Sequence, residues 1–145
     1  CRGMVAGQII DLAAERTSVD VATLTRLHQL KTGALIAFAC TAVAILGRAP
    51  APLRQALHAY AHDLGLAYQI VDDLLDAEGD TSQLGKPVGS DAAAGKSTFV
   101  SVLGPERART QARMLAEQAI KHLDPFAEKA ELLRDLTHFV IERRS

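Results

Sequence analysis

Asp72, Asp73 and Asp76 bring three carboxylates together within five residues, at the end of a largely apolar run that begins near Leu53. At helical spacing Leu57, Ala61, Leu64, Tyr68, Val71 and Leu75 form a core-facing stripe, and Leu66, Ile70 and Leu74 close the far side. Between them run His62, Gly65, Gln69, Asp72 and Asp76. A helix apolar on most of its circumference is buried, so an acidic stripe on it must face a cavity or a partner. Like charges four residues apart cost roughly 0.2–0.5 kcal/mol even on an exposed helix, and a helix C-terminus disfavours anions further. A solvated acidic helix end is the plain alternative, but the flanking positions are too apolar for one. The spacing therefore calls for a cation. Oxygen ligands without a neighbouring His or thiol suit a hard ion such as Mg²⁺, which takes one or two carboxylates and completes its shell with water and phosphate.

Lysines supply the complementary charge. Lys31-Thr32-Gly33 interrupts an apolar helical pattern that runs from Val21 to Gly47, and Gly33 marks a bend or a close backbone approach. Lys31 is read as an ammonium aimed into the same cavity. After Asp76 the helix ends at Gly79, and the irregular stretch to Thr98 carries Lys86 and Lys96, which can fold over the acidic stripe. Gly95-Lys96-Ser97-Thr98 looks like the tail of a phosphate-binding P-loop, but Ser90 stands where that loop needs its first glycine and no strand precedes it. Carboxylates, three lysines, Gln69 and Thr32 beside aliphatic walls suit a substrate with a diphosphate head and a hydrocarbon tail.

The elements that must position these groups read as helices throughout. High Ala and Leu content and scarce β-branched alternation predict an all-α bundle, and 145 residues fit one domain, 1–145. Gly3 to Glu15 forms the first helix, with Gln8 and Asp11 sharing a polar face; either Thr17 or Asp20 caps the second. Gly47 is the expected C-cap of the Val21 helix, with Pro50 and Pro52 in the connection beyond. Thr98 to Leu103 is a short helical turn stopped by Gly104, and Pro105 opens the next helix. Ala108, Ala112, Leu115, Ala119 and Leu123 line that helix, and Leu132, Leu133, Leu136 and Val140 the last.

Composition sets limits. A net charge of −1 gives no field to recruit nucleic acid or an acidic membrane. Ala34–Leu46, about 13 uncharged residues against the ~20 a bilayer needs, is expected to be a buried helix and not a membrane span. Cys1 and Cys40 form no CxxC or Cys/His cluster, which fits a reducing cytosol, and none of the five histidines is proposed as a ligand. His62 is the one histidine on the cavity stripe.

Taken together, these motifs resemble the C-terminal half of trans-prenyl diphosphate synthases, most closely the bacterial farnesyl diphosphate synthases or geranyltranstransferases. Gly7-Gln8-Ile9-Ile10-Asp11-Leu12 is similar to that family's GQxxDL helix, and Lys31 to Ile36 to its KTGALI segment. Gly65 to Asp76 resembles its second aspartate-rich motif, and Gly79 to Thr98 the loop after it. Tyr68 and Val100 depart from the residues frequent there. The resemblance implies an all-α isoprenoid synthase bundle, a cytoplasmic homodimer, and Mg²⁺-dependent transfer of an allylic group, from dimethylallyl or geranyl diphosphate, to isopentenyl diphosphate. It implies Asp72 as the direct metal ligand, with Asp73 and Asp76 orienting metal-bound water. Lys31 and Lys86 would contact diphosphate, Thr32 and Gln69 would steady it, Lys96 would back the loop, and Gln8 and Tyr68 complete the substrate-binding set. The family's first DDxxD does not occur in these residues, so the chain alone is expected to be catalytically silent. A class I terpene cyclase and a non-catalytic helical subunit are the rival readings.

Overall fold

The computed structural model describes residues 3–14, 17–78 and 95–143, and among them every regular element is helical. In order these are α1 (Met4–Ala14), α2 (Val21–His28), a π-helical turn (Gln29–Gly33), α3 (Ala34–Leu46), α4 (Ala51–Glu78), α5 (Phe99–Leu103), α6 (Pro105–His122), a 3₁₀ segment (Asp124–Ala130) and α7 (Glu131–Glu142). The all-α bundle expected from the sequence is the observed architecture among the described residues.

α4 is the axis of the bundle. Its upper half buries Tyr60, Ala61 and Leu64 and its lower half Leu66, Ala67, Ile70, Val71 and Leu74. α6 lies along it through Ala108, Ala112, Ala116 and Ala119, all at most 2% exposed, so small side chains let the two backbones approach. Leu24 and Phe99 close the lower cluster; Leu123, Ala130 and Val140 close the upper one.

The helix ends follow local chemistry. Asp20 is the cap of α2, its carboxylate accepting from Thr23 N–H at 2.8 Å, whereas Thr17 turns its hydroxyl back to the Ala14 carbonyl. Thr98 and Ser101 form a reciprocal capping box on α5, and Pro105 opens α6 after Gly104 at φ +82°. The end of α3 departs from expectation. Gly47 keeps a negative φ, and Arg48 takes the left-handed conformation at φ +53°, with Arg48 N–H bonded to Ile45 O and Ala49 N–H to Ala44 O. Pro52 falls inside the first turn of α4 rather than in the connection, a position where proline removes no helical hydrogen bond.

Two predicted faces are only partly kept. In α7 Val140 and Leu133 pack inward as expected, but Leu132 and Leu136 are 80% and 44% exposed and Thr137 goes inward instead. Thr137 can do so because its hydroxyl donates to the Leu133 carbonyl at 2.8 Å, where the Tyr60 hydroxyl also donates at 3.0 Å. α3, expected to be buried, is mostly open: Phe38 is 71% and Leu46 83% exposed. Ile9 and Leu12 of α1 add to this uncovered apolar surface. By length and composition the helical stretch Val21–Leu46 could cross a membrane. It is instead tied into the bundle by polar contacts of Lys31 and Thr32 that a lipid-facing helix would forfeit.

Glycines set the spacing of α1, the π turn and α4. A Cβ built on Gly7 would fall 2.3 Å from the Lys31 nitrogen, and one on Gly65 3.1 Å from the Gly33 Cα. Gly7→Ala is therefore expected to lower stability by at least the upper end of the ~1–3 kcal/mol typical of overpacking. Gly65→Ala should cost less, because its clash is milder while both variants gain about 1 kcal/mol in helix propensity. Denaturant midpoints test both, and an unchanged midpoint for Gly7→Ala would contradict the close crossing.

Candidate active site

Where α1, the π turn, α4 and the segment before α5 meet, they enclose a polar cavity of about 220 Å³. Asp11, Lys31, Gln69, Asp72, Asp73 and Lys96 contribute its charged and amide groups, over a floor that includes Leu24, Leu27 and His28. Asp72, Gln69, Lys31 and Lys96, singled out from spacing, thus face one space.

Each group is held by a local reason. Lys31 Nζ lies 2.6 Å from Asp11 Oδ2, and the two side chains are 31% and 17% exposed, so the ammonium is fixed at the cavity edge. Thr32 donates its hydroxyl to Gln69 Oε1. With the amide oxygen claimed, the Gln69 NH₂ group is the part left to meet an anion. Ser97 ties the floor together, accepting from Val19 N–H at 3.3 Å and donating to Thr17 O at 3.2 Å.

The three aspartates do not act as one cluster. Asp72 is 42% exposed and faces the cavity, with Arg143 Nη2 3.4 Å from its Oδ1. Asp73 is 5% exposed and accepts the Phe99 N–H at 2.7 Å, placing its charge at the N-terminus of α5. Asp76 is 3% exposed and is not part of the cavity wall. Among the described residues no three His, Cys, Asp or Glu side chains converge on a metal position. Successive helical residues diverge by about 100°, which sends Asp73 into the α4–α5 packing while Asp72 meets solvent.

Other candidates lie elsewhere. Gln8 is exposed on α1 and does not line the cavity. Tyr68 faces an apolar cleft beside Leu136 and Phe139, with the Arg143 guanidinium 4.1 Å over its ring. Thr32 reaches the cavity only through Gln69. His62 is exposed, 3.1 Å from Asp63, and does not line the cavity, because seven residues separate it from Gln69, roughly 10 Å along α4 at 1.5 Å per residue. Lys86 lies outside the described residues, as do residues 79–94 of the predicted loop.

Four contributors were not identified from the sequence. Asp11 was visible as a polar residue beside Gln8, but its pairing with Lys31, 20 positions on, has no local signature. Ser97 and His28 carry no spacing pattern, and Arg143 reaches Asp72 from 71 positions away.

With this geometry in hand, comparison with known proteins decides the family. The polyprenyl synthetase family model matches residues 1–136. The chain belongs to that family. The chain is 42% identical over 148 residues to the farnesyl diphosphate synthase of Escherichia coli K12, covering 97% of the chain and 48% of the relative. It is 42% identical over 142 residues to a dimethylallyltranstransferase of Fischerella ambigua, covering 97% and 41%. Among solved structures, an FPP/GFPP synthase from Zymomonas mobilis superposes with a TM-score of 0.81 at 51% identity, covering 95% of this chain and 45% of that one. The chain spans about half the length of the curated relatives it matches.

His28 gives the cavity floor a pH signature. Burial first, and the Lys31 cation second, push its pKa from 6.5 down to about 4, while the Asp11 and Asp72 carboxylates oppose the shift. The folded chain therefore keeps the imidazole neutral where the unfolded chain binds a proton. Stability from this group is complete above pH 6.5 and is lost as pH falls toward 4, by up to about 3 kcal/mol. His28→Leu should flatten stability against pH across that window, measured by denaturant titrations at successive pH values; an undiminished slope would assign it to other groups.

Proposed function

We propose that this chain forms the diphosphate-handling half of a magnesium-dependent prenyltransferase. The intact enzyme would join isopentenyl diphosphate to dimethylallyl or geranyl diphosphate and yield farnesyl diphosphate. The reading rests on the convergence of Lys31, Lys96, Gln69 and Asp72 on one polar cavity in a polyprenyl synthetase chain.

The donor set fits Mg²⁺ in a limited way. Asp72 offers accessible carboxylate oxygen with a long contact to Arg143, which suits a hard ion that keeps most of its water, while Asp73 lines the same cavity with its Oδ2 bonded to the Phe99 N–H and Asp76 is buried outside the cavity wall. Bound there, the ion would supply Lewis-acid neutralisation of a diphosphate. Lys31, held by Asp11, presents a fixed ammonium to the same group, and Gln69 presents amide N–H donors oriented by Thr32. Lys96 adds positive charge from the α5 side. These groups are arranged before the reaction, so charge growing on a departing diphosphate would be met without reorganisation. The allylic C–O bond would break, the double bond of isopentenyl diphosphate would attack the cation, and the proton then lost would pass to the departing diphosphate. Leu24 and Leu27 keep the floor apolar, which favours exclusion of water from that cation.

The full-length enzyme is proposed as a cytoplasmic homodimer, and the open apolar surface on α1 and α3 supports only cover by the rest of the synthase or its second copy. No specific observation favours a terpene cyclase or a non-catalytic subunit.

In a full-length enzyme Asp72→Ala should lower turnover on the order of 10²-fold or more with folding intact. Asp73→Ala should act mainly on stability, costing about 1–3 kcal/mol by orphaning the Phe99 N–H. Steady-state prenyl transfer and thermal unfolding of both variants test this; equal turnover losses would refute the assignment. The 145 residues alone should give no product in the same assay.

A further inference from the structure

From the sequence no histidine is expected to be a ligand, but the upper half of α4 brings two of them together. His58 and His62 are both exposed and stand four apart, which sets them one above the other on a single helix face, about 5–6 Å between Cβ atoms. His58 makes no hydrogen bond or ion pair with any described residue.

His62 is held by a carboxylate. Its Nδ1 lies 3.1 Å from Asp63 Oδ1, and His122, at the end of α6, sets its Nε2 3.1 Å from the other oxygen of the same group. The Asp63 side chain is 15% exposed against 46% for His62, so the carboxylate is anchored between two helices while the ring stands in solvent. An ionised carboxylate only accepts, so the His62 nitrogen facing it carries the proton and Nε2 of the neutral ring keeps the lone pair. Metal-binding imidazoles are set in this way: the nitrogen away from the ion donates to a carboxylate, which fixes the tautomer and makes the ligating nitrogen more basic.

We propose that His58 and His62 form a surface site for a divalent transition metal such as Zn²⁺ or Ni²⁺, with Asp63 as the residue that orients His62. Two imidazoles one helical turn apart can chelate such ions, whereas hard Mg²⁺ prefers oxygen. Water completes the shell, because His122 spends its Nε2 on Asp63 and no three His, Cys, Asp or Glu side chains converge on a metal position among the described residues. The spacing exists only while α4 is helical, so the ion binds the folded chain in preference to the unfolded one. It thereby braces the turn whose Tyr60 hydroxyl donates to the Leu133 carbonyl. Neither histidine lines the Asp72 cavity, so the site does not rest on the proposed prenyl transfer.

The test titrates Zn²⁺ calorimetrically into the untagged full chain, with imidazole nitrogen NMR to identify the ligands. One-to-one binding is expected, with Mg²⁺ at least about tenfold weaker. His58→Asn and His62→Asn, both at exposed positions, should each weaken Zn²⁺ by about tenfold or more, whereas His138→Asn on α7 should leave it unchanged. Asp63→Ala should weaken it about tenfold and release His62 from the Nδ1-protonated tautomer, and Asp63→Asn, which keeps an acceptor oxygen, should restore most of the affinity. At roughly 100-fold excess over its Kd, Zn²⁺ should raise the Tm by at least about 4 °C, and the double variant His58→Asn/His62→Asn should abolish the rise. The site is overturned by absence of one-to-one binding, by equal Mg²⁺ affinity, by indifference to His58→Asn or His62→Asn, or by binding lost instead in Asp72→Asn or Cys40→Ser. Indifference of both affinity and tautomer to Asp63→Ala would overturn the orienting role.

Discussion

Backbone contact at three glycines governs how the site is built. Gly7 brings α1 against the Lys31 backbone, and Gly33 and Gly65 bring the π turn against α4, so three helices meet where side chains would hold them apart. Only at that separation does Lys31 reach Asp11, and Thr32 reach Gln69. The π turn matters for the same reason. An extra residue per turn between α2 and α3 breaks the helical phase at Lys31-Thr32-Gly33, and such bulges occur frequently at functional sites. The conformational freedom lost by placing glycine inside helices is offset by this packing.

Charge is distributed by packing as much as by composition. Three aspartates in five residues read as one anionic patch, yet the helix separates their work. Asp73 is spent on the first N–H of α5, which fixes the segment carrying Lys96, Ser97 and Thr98 against α4. Asp72 is left to the cavity. A buried carboxylate bonded to backbone and a half-exposed one thus lie side by side, and their surroundings follow from which neighbour each side chain meets.

Periodicity made the helices legible, and with them the buried face of α6, because these depend on neighbours within a few residues. The joint placement of Asp72, Gln69, Lys31 and Lys96 was legible as a set of residue types. What escaped were relations set by distant packing. Leu132 and Leu136 looked like core positions, but Tyr60 and Thr137 satisfy each other's polarity and take the inner face of α7 instead. Arg48 rather than Gly47 carries the left-handed turn, since the reversal falls one residue later than the glycine. The exposure of α3 could not be read from hydropathy, which reports the need for cover and not its source. The link from Arg143 to Asp72 requires the whole of α7 to be docked.

That docking has a mechanical aspect. The hydroxyls of Tyr60 and Thr137 both grip the Leu133 carbonyl, and Arg143 lies ten residues beyond it, roughly 15 Å along a helix at 1.5 Å per residue. α7 is therefore a ruler clamped near one end. A slip of one residue at the clamp would move the far end about 1.5 Å and rotate it about 100°, enough to lift the guanidinium off the Tyr68 ring and away from Asp72. A tyrosine hydroxyl in the upper core thus calibrates a charge contact at the far end of α7.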